Sequence, residues 1–210
     1  MRGVIASVRP HIESSVIRLR RNLIMSIFSR RFNNPEQNVG AGIDNLAATI
    51  AVGSIDCAEM FKETLGERWL LVVFEFIHFY IHLMNRVSSN KLADEGRRNL
   101  HSKVLPRLFS LVVDAAVTDY VSVKDREDAL ATFTESNYDR ESIYSACTKY
   151  VSHENPLDHS ALFSKLALMV IDACGFPQDE TIAKAIIGIS HKTYEEMNLV
   201  GLVEAGAKEI

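Results

Sequence analysis

The chain has 210 residues, 47% of them hydrophobic and 24% charged, with a formal net charge of −4 at pH 7, the proportions of an ordinary globular protein. A chain of this length buries about 70% of its unfolded surface and folds without a disulfide or metal staple. Its three cysteines, Cys57, Cys147 and Cys174, are widely spaced and in no paired motif, so collagen-like, disordered and disulfide-framework classes are excluded and reduced thiols in a cytoplasmic protein are expected.

Charge is unevenly spread. Residues 1–32 hold seven arginines, one acid (Glu13) and no lysine, a surplus of +6 that leaves −10 on the rest of the chain. An acidic body argues against nucleic acid as a partner, because phosphate neutralisation needs a basic face. Residues 1–36 are therefore read as an Arg-rich amphipathic N-terminal segment and linker. A helix over 11–31 would align Ile12, Val16, Leu19, Leu23 and Ile27 on one stripe, and peripheral membrane contact through residues 1–32 is one use for it. Met25 offers a second start, and residues 1–24 are expected to be a dispensable extension. Residues 37–210 are expected to form a single all-helical domain.

Within that domain, ten glycines and five prolines in the whole chain are too few for an all-β fold, and apolar spacings of three and four dominate. The pattern predicts a helix over 43–65 that stops at Gly66, then a long apolar helix over 69–87. A helix over 92–120 contains Pro106 and should bend there. Ser122 with Asp125 caps a helix through Phe133, and Ser136 with Asp139 caps another through Val151. Pro156 opens a helix that ends at Gly175. Pro177, followed by Gln-Asp-Glu, opens the last one. The expected architecture is all-α: seven or eight helices around a buried central helix, 69–87.

That central helix carries the chemistry worth weighing. At 100° per residue, Glu75, His78, His82, Asn85 and Arg86 share one arc of about 100°, while the other positions from Leu70 to Met84 are apolar. A helix apolar over most of its circumference should be largely buried, leaving ionisable groups with little surface to occupy. One reading is a metal site on Glu75, His78 and His82, since Glu-x-x-His is the unit with which helical bundles hold carboxylate-bridged metals. No second Glu-x-x-His occurs in the chain. A second reading is a hydrogen-bonded polar strip with neutral histidines, and a third is a pocket for an organic ligand. Charges within 69–87 oppose a transmembrane role. Arg86, near the helix end, is expected to pair with a carboxylate or with terminal carbonyls.

Other positions are read as structural. Cys147 is expected to be a buried, inert thiol within a helix, and Asp114 and Asp172 to lie inside apolar helices as candidate buried carboxylates, Asp172 lining up with Lys165 on what reads as a wet face. His101, His153, His159 and His191 are expected to be isolated, partly exposed surface residues, and Tyr138, Tyr144 and Tyr150 to be packing residues. The chain has no phosphate loop, nucleophile elbow, C-x-x-C, H-E-x-x-H or calcium loop.

The run Phe76 to Arg86 (FIHFYIHLMNR), Arg97-Arg98, Asn137-Tyr138 with Arg140 and Tyr144, and Pro156-Leu157 before an apolar helix resemble a group of bacterial all-helical proteins with no assigned activity. The resemblance spans residues 69–175. It implies a bacterial, cytoplasmic setting and that His82, Asn85 and Arg86 belong to the group's pattern. Without a complete catalytic constellation, the leading expectation is a non-catalytic helical interaction or assembly protein, binding a protein partner or itself and needing no cofactor. The alternative is a metal- or small-ligand-binding bundle, with oxidoreductase chemistry as one use, centred on Glu75, His78 and His82 with a divalent metal.

Overall fold

The computed structural model describes residues 42–116 and 123–210, except His153. The N-terminal helix expected over 11–31, the segment 1–36, the cap at Ser122 and the side chain of Asp114 lie outside the described residues. Among those described are seven helices: α1 (Gly42–Ala58), α2 (Trp69–Ser89), α3 (Asp94–Ala116), α4 (Val123–Ser145), α5 (Leu162–Cys174), α6 (Glu180–Glu196) and α7 (Leu199–Ala207). No strand is found among them, only an isolated bridge between Lys149 and Ala161. The fold is an all-α bundle.

α2 is its axis. It packs against α1, α3, α4, α5 and α7, and Val72, Val73, Phe76, Ile77, Phe79, Tyr80, Ile81, Leu83 and Met84 along it are buried. Each such side chain is worth about 1.5–3 kcal/mol when fully covered. Because the apolar positions run round the helix rather than along one stripe, it needs neighbours on several sides. α2 is also long and apolar enough to cross a membrane, yet two-thirds of that stretch is buried within the bundle. α1 supplies one of the neighbours by being narrow. Its alanines and Gly53 let α6 approach so closely that a Cβ at Gly53 would lie 2.0 Å from Met197 Cε, just beyond the end of that helix. The carboxylate of Glu209 accepts the free N–H groups of Gly42 and Ile43, capping α1 from the far end of the chain.

Several predicted boundaries move, each for a local reason. The helix expected over 43–65 is regular only to Ala58 and then tightens into short 3₁₀ and α turns; Gly66, at φ 56°, does end them. The helices expected to meet near Ser136 are one. Ser136 lies inside α4 with its hydroxyl turned to His78, and Thr132 and Thr134 bond back to the carbonyls of Asp128 and Leu130. Hydroxyl residues bonded in this way do not interrupt a helix. Conversely, the helix expected through Val151 ends at Ser145, and Pro156 opens no helix. Residues 146–161 form a loop closed by Thr148 and Lys149 N–H groups donating to Ser160 O, and by Asp158, which accepts from Ser160. Gly175 ends α5 in the left-handed region, at φ 69°, as its position predicts. Asp179, two residues after Pro177, is the N-cap of α6, accepting from Thr181 and Ile182 at 2.8 and 3.0 Å. The final helix is two, parted at Asn198 with φ 46°.

Candidate functional site

The polar row of α2 faces α4. His78 meets Ser136 and Asn137, His82 meets Glu141, and Arg86 meets the Tyr144 carbonyl. These sequence offsets of 58 and 59 are constant, so the two helices run parallel and in register over two turns, and four-residue steps on one answer four-residue steps on the other. The row is buried by this contact: Glu75 is 6% exposed, His78 3% and His82 1%.

Each member has a protein partner. Glu75 takes a forked contact from Arg140, with Nε at 2.8 Å from Oε2 and Nη2 at 2.5 Å from Oε1, the planar geometry that suits guanidinium to carboxylate. His78 Nδ1 is 3.3 Å from Asn137 Oδ1, and its Nε2 is 3.3 Å from Ser136 Oγ. An imidazole that donates to an amide oxygen and accepts from a hydroxyl is neutral. Burial, with the Arg140 charge adding to it and the Asn137 bond opposing, pushes His78 down to about 4. Asn137 in turn donates from Nδ2 to His101 Nε2 at 3.2 Å, so the His101 proton sits on Nδ1. His101 is also lowered, chiefly by burial.

The lower half of the row forms a second chain. Arg86 donates Nε–H to His82 Nε2 at 2.7 Å and Nη2–H to the carbonyls of Tyr144 and Cys147. Those carbonyls lie at the C-terminal end of α4, where a cation is favoured. Since a guanidinium only donates, His82 Nε2 must accept, and the ring's proton is on Nδ1. That Nδ1 lies 3.0 Å from Glu141 Oε1, at ion-pair distance but without the alignment of a hydrogen bond. Asn85 Nδ2 donates to the other Glu141 oxygen at 3.2 Å. Burial pushes the Glu141 carboxyl up, but the His82, Asn85 and Ser145 contacts outweigh it and hold the group below its ordinary range.

Asn85 and Glu141 open onto a cleft of about 650 Å³ between α3 and α4, within the range of small-molecule sites. Arg97, Arg98, His101, Ser102, Leu105 and Pro106 line it from α3, and Leu130, Thr134 and Tyr138 from α4. Pro106 lies inside α3, and its missing N–H leaves the Ser102 carbonyl without its usual helical partner.

Of the predicted site residues, the structure lines up Glu75, His78, His82, Asn85 and Arg86 against one helix but does not converge the first three on a common point. Their donor atoms are directed at Arg140, Asn137, Ser136 and Arg86, and no group of three or more His, Cys, Asp or Glu side chains suited to a metal occurs among the described residues. His101 is partly exposed as expected but not isolated: it is bonded to Asn137. Glu141 is not singled out by the sequence, because on a polar amphipathic helix nothing in sequence separates a carboxylate with fixed protein contacts from a solvated one. Tyr144 is buried as expected, with burial pushing its hydroxyl well up, whereas Tyr138 and Tyr150 are exposed. Cys147 is buried but lies past the end of α4 rather than inside a helix, and Asp172 is exposed. All three cysteines are free and buried. No protein-family model, curated protein or solved structure matches the chain.

Proposed function

We propose that the protein is a non-catalytic, small-molecule-binding helical bundle whose site is the α3–α4 cleft, next to the row on α2 rather than on it. The observation that carries this reading is that the cleft's inner wall, Asn85 and Glu141, is held in place from behind by His82 and Arg86. Such support fixes polar groups where a ligand meets them. A binding rather than a catalytic role fits the hydroxyls of the cleft: Ser102 and Thr134 are bonded to the carbonyls of Asn99 and Leu130 on their own helices, not to a base. A metal on Glu75, His78 and His82 would have to displace the Arg140, Asn137 and Arg86 contacts. Metal analysis of protein purified without an affinity tag tests that alternative directly.

The test of the main reading is a thermal-shift screen of small molecules on the full chain, repeated with Leu130→Trp, which fills the cleft. A ligand present at a hundred times its Kd adds about 2.7 kcal/mol and should raise Tm by several degrees, an effect that the tryptophan abolishes. Shifts that survive Leu130→Trp, or none from any compound, would count against the cleft. Self-association is a second reading, favoured by the exposed apolar side chains of Met60, Leu71 and Val200. Single apolar residues are common on surfaces, so it ranks below the first, and sedimentation across a concentration series decides it.

A further inference from the structure

Resting on the reading that the cleft is a ligand site, we infer that its ligand class is a zwitterionic α-amino acid with an apolar side chain. α3 and α4 run antiparallel, since Ser110 meets Arg126, Phe109 meets Phe133 and His101 meets Asn137. The cleft lining therefore divides into two ends. Leu105, Pro106 and Leu130 fall at one; Arg97, Arg98, His101, Asn85 and Glu141 fall at the other.

The polar end holds charges of both signs that do not neutralise one another. Glu141 is met by His82, Asn85 and Ser145, and no lysine or arginine pairs with it among the described residues. Arg98 is exposed on the opposite wall and has no carboxylate partner among them. Among the described residues Arg97 pairs only with Asp94, an exposed pair three residues apart on the same helix, and such pairs are weak. His101, its Nε2 already taken by Asn137, keeps an Nδ1–H donor with no protein acceptor among the described residues.

A ligand with a lone carboxylate would satisfy the Arg98 side and place its charge near Glu141; a lone amine would do the reverse. Only a head group carrying both charges complements both walls, its ammonium toward Glu141 and the Asn85 carbonyl, its carboxylate toward the Arg98 fork and His101. The apolar end then receives the side chain. Discrimination follows, because a molecule lacking either charge leaves a protein group desolvated and unpaired.

The experiment is titration calorimetry on the full chain with three probes: L-phenylalanine, 3-phenylpropionate, which lacks the ammonium, and 2-phenylethylamine, which lacks the carboxylate. Phenylalanine should bind at least about tenfold more tightly than either one-charge relative, as expected when a charged partner is removed. Glu141→Gln should erase its advantage over 3-phenylpropionate and spare that over 2-phenylethylamine; Arg98→Gln should do the opposite. Arg98 is exposed and Glu141→Gln keeps the shape, so both variants should fold, which circular dichroism verifies. Equal binding of all three probes would overturn the zwitterion while leaving the cleft a ligand site. No binding of phenylalanine would also overturn it, and a library screen that fails as well would remove the ligand reading itself.

Discussion

The interface between α2 and α4 has two carboxylates, and they stand in opposite circumstances. Glu75 sits near the start of the row, almost wholly buried, with both oxygens occupied by the fork of Arg140. Glu141, farther along, is partly open, lies 3.0 Å from His82 Nδ1, accepts from the Asn85 amide, and borders the cleft. The first is closed: its charge is neutralised within the protein and it has nothing left to offer. The second is positioned, and among the described residues no guanidinium or ammonium pairs with it. A buried ion pair holds a structure together only while both partners remain, whereas a carboxylate braced at the edge of a cleft can still accept a donor from outside. The same residue type on the same interface is thus structural in one place and available in the other, and its partner decides which.

The sharpest way to break this contrast is to strip Glu75 of its partner. Arg140→Ala should destabilise the fold by about 3–5 kcal/mol, because a buried carboxylate is left unpaired. The double variant Glu75→Leu with Arg140→Leu should recover most of that loss. Urea titration of both variants measures it, and a single-variant loss under about 1 kcal/mol would mean that Glu75 finds solvent instead.

A second effect comes from acid. His78 falls to about 4 in the folded protein, through burial first, against about 6.5 in the unfolded chain. Between those values the unfolded state binds the extra proton, so stability is complete above about pH 6.5 and declines as pH falls toward 4. The span amounts to about 3 kcal/mol. His101, lowered in the same direction, adds to the slope. Glu141, held below its ordinary range, contributes stability that is present above the normal carboxylate range and lost only at lower pH. Melting curves of wild type and His78→Gln between pH 7 and 4 should separate, with the variant clearly the flatter; parallel curves would deny His78 its buried, neutral state.

A smaller loss is expected from Arg86→Lys, about 1–2 kcal/mol, since one ammonium cannot reach His82 and the Tyr144 and Cys147 carbonyls from the planar fork's positions. Equal melting temperatures would show that the forked contact contributes nothing. Smallest of all should be the stability change of Glu141→Gln, under about 1 kcal/mol for a partly exposed group whose replacement can still accept from Asn85. If this variant matched Arg140→Ala in its cost, Glu141 would be as structural as Glu75 and the contrast would collapse.

By itself the sequence determined the all-α class, the buried course of α2, the single arc of Glu75, His78, His82, Asn85 and Arg86, and the glycine stop at Gly175. These follow from periodicity and local backbone preference, which act within a few turns of one segment. Arg86 meeting terminal carbonyls, one of its two expected partners, is legible too, though the carbonyls are those of Tyr144 in the last turn of α4 and Cys147 just past it rather than those of its own helix. What only the tertiary structure decided was the occupant of each position facing that row. The parallel register of α2 against α4 turned Ser136 from an expected cap into a partner of His78, joined Arg140 to Glu75, and set Glu141 beside His82. The antiparallel packing of α3 on α4 drew His101 into the network and opened the cleft. Helix periodicity says which side chains share a face. It carries no information about the face they will meet, because that pairing joins residues far apart in the chain and is fixed by how whole helices fill space against one another.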